Sequence, residues 1–363
     1  MEGLALIARQ VKRNCDISDA KSWGFYSICG LLLRLRELYL SEHGLRPWHN
    51  VEQSLIGSWI GEKEALWKAL AGEDYSEIEI QGSRFEPFDS AGMNRILVPR
   101  GLLYGAGYGP HMKATFFLAD LMREETIDGL DIYIAGREHA RDLSNAVAML
   151  KEDVIVARLE AARHLIWQKY EEYRTKHMKS REAPPLPAGT KGGEALALAF
   201  ESYGIGPDEA GPEKVLNAVA LPELEVYIRH ELGEAAEGRK LGPRWAELLM
   251  GTSDPKAGPF LRAVKDVLAD ASENGMLRYI IDRRKTGSLA FYILFLSGYR
   301  KLLSRPLEDA FKEFLIKNDW GPIEEAARRA YENAKRISST LLELHRAGKD
   351  VFPFIEESIG KLR

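Results

Sequence analysis

Apolar residues recur at i, i+3, i+4 and i+7 over most of the chain, the period of helices that bury one face. Residues 1–13 read as a short helix. A longer one runs from about Asp19 to His43, with Ile28, Leu31, Leu32, Leu35, Leu38 and Tyr39 on its apolar positions and a stop at Gly44 before Pro47. Asn50 with Gln53 resembles a capping box and opens a helix carrying Leu55, Trp59, Ile60, Leu66 and Trp67. The texture then changes. Residues 76–80 alternate polar and apolar, residues 85–110 are rich in glycine and proline, and apolar runs at 115–122 and 130–134 flank 123–129 as a hairpin would. Helical spacing returns at Arg137 and continues to about Lys176. Residues 180–193 contain Pro184, Pro185, Pro187, Gly189, Gly192 and Gly193, the composition of an extended linker. Everything beyond reads as helix, over 194–203, 222–237, 243–250, 257–272, 287–304, 306–317 and 321–347. The expected fold is therefore mainly α, in two domains. Residues 1–180 form a helical domain with a small antiparallel β insertion at about 75–136, residues 181–193 a linker, and residues 194–363 an all-helical domain.

Composition changes this picture little. The chain has 363 residues, 45% of them apolar and 29% charged, with a formal charge of −4. No global field attracts nucleic acid or anionic lipid. The longest apolar clusters fall short of the roughly 20 residues a membrane helix needs. The two cysteines are too few for a disulfide framework. Cys29, in an apolar run, is expected to pack as a small hydrophobe, and Cys15, in a polar segment, to be an exposed thiol. No charged-then-apolar leader begins the sequence. These features together suggest a reducing, cytoplasmic setting with neither nucleic acid nor membrane as partner, and leave oligomeric state open.

The richest chemistry lies at residues 223–237. At about 100° per residue, Leu224, Ile228, Leu232 and Ala235 share one helix face, and Glu223, Tyr227, His230, Glu234 and Glu237 the opposite one. His230 and Glu234 stand at i and i+4, as the two ligands of a zinc-peptidase helix do, with Glu231 at the place of the general base in H-E-x-x-H; here the second histidine is glutamate. Glu231 projects ~110° from His230, toward the apolar stripe. Asp266 and Asp270, one turn apart on a later helix, are the carboxylates expected to complete such a shell, with Asp254 as an alternative in a loop. The other reading of the 223–237 face is a solvated polar surface.

Other clusters are weaker. Glu42, His43 and His49 either point into a cleft or serve a helix end, where His43 suits the macrodipole. The glycine-rich run at 104–111, ending at His111, lacks the Lys-Ser/Thr of a phosphate loop and reads as punctuation between strands. Arg137 and Arg141 open an expected helix directly after a strand, a junction suited to an anion; the alternative is a surface charge network with Glu138 and Asp142. Glu160 and His164 are another i, i+4 pair, but Arg158 and Arg163 beside them repel a cation. Arg283, Arg284 and Lys285 form a charge cluster at a helix end.

The run from Ile28 to Tyr39 (ICGLLLRLRELY), with Glu42-His43-Gly44 and Pro47-Trp48, resembles the N-terminal signature of a bacterial protein family without an assigned activity. Further elements of the resemblance, in order, are Leu102 to Gly109, Gly136-Arg137-Glu138 with Ala140 to Leu143, His230-Glu231-x-Gly233-Glu234, and Ala263 to Asp270. It implies one shared architecture along nearly the whole chain and supplies no mechanism.

The functional expectation from the residues is a metal-dependent hydrolase acting on a small molecule or peptide. His230, Glu234 and Asp266 or Asp270 would hold zinc, iron or manganese, and Glu231 would act on the water. The rival is a non-catalytic helical scaffold, or a ligand-binding module that takes an anion at Arg137 and Arg141.

Overall fold

A computed structural model describes residues 2–109, 112–182, 193–207, 211–252 and 254–362. His111 and most of the expected linker lie outside the described residues. The chain divides into two compact units, Met1–Trp167 and Gln168–Arg363.

The first unit contains α1 (Glu2–Ser22), α2 (Ile28–Glu42), α3 (Gln53–Leu70), β1 (Ile78–Ile80), β2 (Ser83–Phe85), α4 (Ser90–Leu97), β3 (Leu102–Tyr108), β4 (Ala114–Ile127), β5 (Leu130–Arg141), β6 (Ala148–Lys151) and β7 (Val154–Arg158), and the start of α5 (Leu159–Glu182). The β content exceeds the small antiparallel insertion that periodicity suggests. Beside the β1–β2 pair stands a five-stranded sheet of order β3-β4-β5-β7-β6, in which β5 and β7 run parallel. The expected hairpin is the β4–β5 pair, but its turn is tight. Asp128 (φ 52) and Gly129 (φ 77) both take positive φ, the two-residue turn whose twist matches antiparallel strands.

Two of the expected helices are interrupted. The segment 19–43 breaks at a short 3-10 turn, Trp23–Phe25, and α2 restarts under Ser27, whose hydroxyl accepts from the Gly30 N–H. The segment expected to turn helical at Arg137 remains strand through Arg141, and helix begins only at Leu159. The cysteines exchange their expected places: Cys15 is buried, its thiol against the Phe116 carbonyl, and Cys29 is exposed.

α1 joins the layers of this unit. Ile7, Val11 and Cys15, at i+4 spacing, pack on Tyr104, Phe116 and Leu118 of the sheet, and Ile17 and Ala20 pack on α2 and α3. Its Asp19 is fully buried, accepts from the Leu143 N–H at 3.0 Å and pairs with Lys113 at 2.9 Å. Asp142, also without exposed surface, accepts from Thr115 Oγ1, Phe116 N and Ser144 N. These bonds fix the start of β4 and the end of β5 against α1.

The second unit, all helix among the described residues, contains α6 (Gly193–Glu201), α7 (Pro212–Leu241), α8 (Pro243–Gly251), α9 (Ala257–Ala271), α10 (Met276–Asp282), α11 (Thr286–Phe295), α12 (Gly298–Leu303), α13 (Arg305–Lys317), α14 (Gly321–Arg346) and α15 (Phe352–Leu362). Short α10 is missed by periodicity, and the expected 287–304 helix is two, α11 and α12. α9 is central. Phe260, Leu261, Val264, Val267 and Leu268 are buried, and α7, α12 and α14 pack around it. No helix among the described residues is long and apolar enough to cross a membrane.

The α7–α9 contact depends on missing side chains. A Cβ on Gly233 would lie 2.2 Å from the Ala269 carbonyl oxygen; in the turn from α9 to α10, one on Gly275 would lie 2.1 Å from the same atom. Alanine is favoured over glycine inside a helix by about 1 kcal/mol. A backbone clash opposes that gain, and overpacking costs typically 1–3 kcal/mol. Gly233→Ala is therefore expected to lower stability in denaturant unfolding; a stabilised variant would contradict this close approach.

His164, buried in the first unit, gives a second prediction. Burial, with Arg141, Arg36 and Arg158 adding to it, pushes its pKa down to about 3. The unfolded chain then binds the extra proton between about pH 6.5 and 3, so stability from neutral His164 is present above pH 6.5 and lost as pH falls. Between pH 7 and pH 5 the loss is about 2 kcal/mol. Unfolding of His164→Leu should lack this part of the acid slope. Parallel pH profiles of variant and parent would refute the assignment.

Candidate metal centre

The face of α7 opposite its apolar stripe is largely covered. Leu224, Ile228, Leu232 and Ala235 are buried as the periodicity requires, yet Glu223 and Glu237 are also buried, at 2% and 3% exposure. Four residues of this row bond to another helix or loop of the second unit. Glu223 accepts from the hydroxyls of Tyr203 and Ser288, and Glu237 from Tyr331. His230 bonds Asp270 of α9, and Glu234 pairs with Lys265 of α9 at 3.0 Å.

Asp270 organises the site. It has no exposed surface, and each of its oxygens is used. Oδ1 lies 2.6 Å from His230 Nδ1; Oδ2 accepts from Arg300 Nη2 at 2.6 Å and from the Tyr292 hydroxyl at 3.1 Å. α7, α9, α11 and α12 thus meet at one carboxylate. Burial alone would raise its pKa, but Arg300 and His230 outweigh burial and hold it down at about 2. Burial likewise disfavours the charged imidazole. Asp270, with its hydrogen bond, and then Glu231 and Glu234, overcome that and lift His230 to about 10.

With Nδ1 committed to Asp270, His230 presents Nε2 to Glu234 Oε1, 3.9 Å away. Asp266, one turn before Asp270, lies beside them. Ligand atoms of His230, Glu234 and Asp266 all fall within 4.8 Å of one another. Asp266 Oδ2 is 3.9 Å from Arg300 Nε, and burial, against the pull of His230 and Arg300, raises its pKa to about 6. The cluster remains open to solvent on one side, since the side chains of Asp266 and Arg300 keep 28% and 31% of their surface. A carboxylate that holds one nitrogen of a histidine, while the other nitrogen faces carboxylates, fixes the ring in the way that metal-ligating imidazoles are oriented.

The structure thus brings together His230, Glu234 and Asp266, and places Asp270 behind the histidine. Glu231 is buried on the side of the apolar stripe and is not one of the three converging groups. Asp254 stands apart as the cap of α9, accepting from the N–H groups of Lys256 and Ala257. Arg300, Tyr292 and Lys265 escape sequence reasoning; only the order in which α11 and α12 pack on α9 brings the first two here.

The remaining candidates belong to the first unit. The helix start expected at Arg137 and Arg141 is not there, because both residues lie on β5. Arg137 is exposed. Arg141 is buried and donates to the Ser144 carbonyl at 2.9 Å, with Glu138 3.5 Å from its Nε. Glu42, His43 and His49 serve the local fold: Glu42 accepts from Trp59 and Lys63, His43 bonds the Tyr39 carbonyl, and His49 accepts from the Arg46 N–H. Glu160 pairs with Arg163 at 2.7 Å, and His164 is the buried group described above.

No curated protein and no solved structure matches the chain. Two family models do: residues 6–158 match the N-terminal domain, and residues 163–361 the C-terminal domain, of a family described as of unknown function, DUF6866. The two matches take up almost the whole sequence in order, and the chain belongs to that family.

Proposed function

We propose that the second unit binds a divalent cation at His230, Glu234 and Asp266 and uses it in hydrolysis. The observation that carries this reading is the convergence of those three donors within 4.8 Å, with the far nitrogen of His230 held by Asp270. One imidazole and two carboxylates suit zinc, iron or manganese. Such an ion supplies Lewis acidity and a bound water acidified toward neutrality. The protein's own contribution is orientation. Asp270 fixes the ring plane of His230, Lys265 fixes Glu234, and Arg300 places a positive charge beside Asp266 that also suits a carbonyl or acidic group of a substrate.

A second reading is a structural clamp without an ion. It is favoured by the ion pairs Lys265–Glu234 and Arg300–Asp270, which already balance two carboxylates. The two readings separate by measurement. Protein dialysed against zinc, iron(II) or manganese(II) is expected to retain about one equivalent by elemental analysis, and Asp266→Asn, at a partly exposed carboxylate, to lose it while still folding. Hydrolysis of p-nitrophenyl esters or phosphates should follow metal content. Parent protein that retains no ion, and whose melting temperature no ion raises, would leave the clamp.

A further inference from the structure

We propose that the first unit holds a binding site for a planar, largely apolar molecule carrying one anionic group. The site is the cavity of about 740 Å³ lined by α4 and by strands β3, β5, β6 and β7. That volume falls within the range of small-molecule pockets.

Three features of its wall support the assignment. The first is Gly107 on β3. Gly105, two residues earlier, must be glycine, because a Cβ there would meet the Phe117 ring at 2.0 Å. Gly107 is under no such demand: a Cβ there meets nothing within 4 Å, and its φ is not positive. Glycine weakens a strand interior, and where neither packing nor backbone requires it, it marks close approach by another molecule. The second feature is aromatic and apolar. Tyr108, 57% exposed, stacks on Phe88 with ring centroids 4.7 Å apart at 17°, and Tyr133, Met149 and Val156 continue the apolar floor.

The third feature is a charge without a counterion. Lys151 is half-buried, and its ammonium donates only to neutral partners, the Phe88 carbonyl at 2.9 Å and Ser90 Oγ at 3.1 Å. Among the described residues no carboxylate pairs with it. Arg95 adds a second positive charge to the lining. Three acids also line the cavity, but among the described residues none is in ion-pair contact with Lys151: Asp89 caps the Gly92 N–H at 2.8 Å, Asp131 accepts from Thr126, and Glu152 is exposed at the β6–β7 turn. A partly desolvated ammonium gains most from an anion that shares its environment. An apolar ring on the Gly107 and Tyr133 floor, with its carboxylate or phosphate toward Lys151, meets every feature.

The test uses 1-naphthoate and its uncharged analogue 1-naphthamide, titrated calorimetrically into the full chain. Naphthoate is expected to saturate at one molecule per chain. Gly107→Leu, which fills the open space, should weaken both probes at least tenfold. Lys151→Met should weaken naphthoate about tenfold and leave naphthamide unchanged. Gly107 has open space for a side chain and Lys151→Met gives up two hydrogen bonds, so unchanged thermal unfolding of both variants is the control. Absence of saturable binding, equal binding by parent and both variants, or loss of both probes alike in Lys151→Met would overturn the assignment.

Discussion

A carboxylate with no exposed surface cannot remain charged without partners, and Asp270 sets the geometry of the second unit for that reason. Removing such a group from water costs several kcal/mol after relaxation. The cost is offset only if both oxygens are used, and here they are, by His230, Arg300 and Tyr292. Each partner comes from a different helix, so satisfying one side chain fixes how α7, α11 and α12 stand on α9. The requirement extends to the backbone. His230 reaches Asp270 because α7 lies close on the end of α9, and that approach is open only where Gly233 faces the Ala269 carbonyl. The glycine between Leu232 and Glu234 thus belongs to the same device as the histidine three residues before it.

The part of this arrangement that is local in sequence is legible from sequence. The apolar stripe of α7, the grouping of Glu223, Tyr227, His230, Glu234 and Glu237 on its other face, and the one-turn spacing of Asp266 and Asp270 all follow from about 3.6 residues per turn. What covers that face is not local. Arg300 lies 30 residues from Asp270 and Tyr292 lies 22, on two short helices that periodicity merges into one. A polar helix face buried by other polar side chains has the same pattern as one facing water. Only the packing distinguishes them, and the 2% exposure of Glu223 is a property of the packing.

The first unit shows the same ambiguity with a different outcome. Arg137, Glu138, Arg141 and Asp142 carry charge at helical spacing and imitate an amphipathic start. They lie instead at the end of a strand, and three of the four are buried. Arg158 pairs with Glu138 at 2.6 Å and stands over the Phe117 ring at 4.8 Å, so the charges face one another and an aromatic surface rather than solvent. Charge is ordinarily a sign of exposure. In this unit, as around Asp270, it is paired in the interior, and a reading that equates charge with surface misplaces the strand. The glycines of β3 are legible only as loop material for a similar reason: the ring that forbids a side chain at Gly105 belongs to Phe117 on the next strand.

If the proposed ion binds, the clamp and the metal centre would be two charge states of one set of side chains. Without an ion, imidazolium His230, Arg300 and Lys265 face the carboxylates of Glu234, Asp266 and Asp270, and Glu231 adds to the negative field on the imidazole. An ion at Nε2 has to take the place of the proton there, since a ligating imidazole is neutral on the coordinating nitrogen. Asp270 serves both states without moving, because its bond is to Nδ1. The net charge would then rise by one on exchange of a proton for a dication, and Asp266, the least tightly paired of the three acids, would face the ion as a carboxylate.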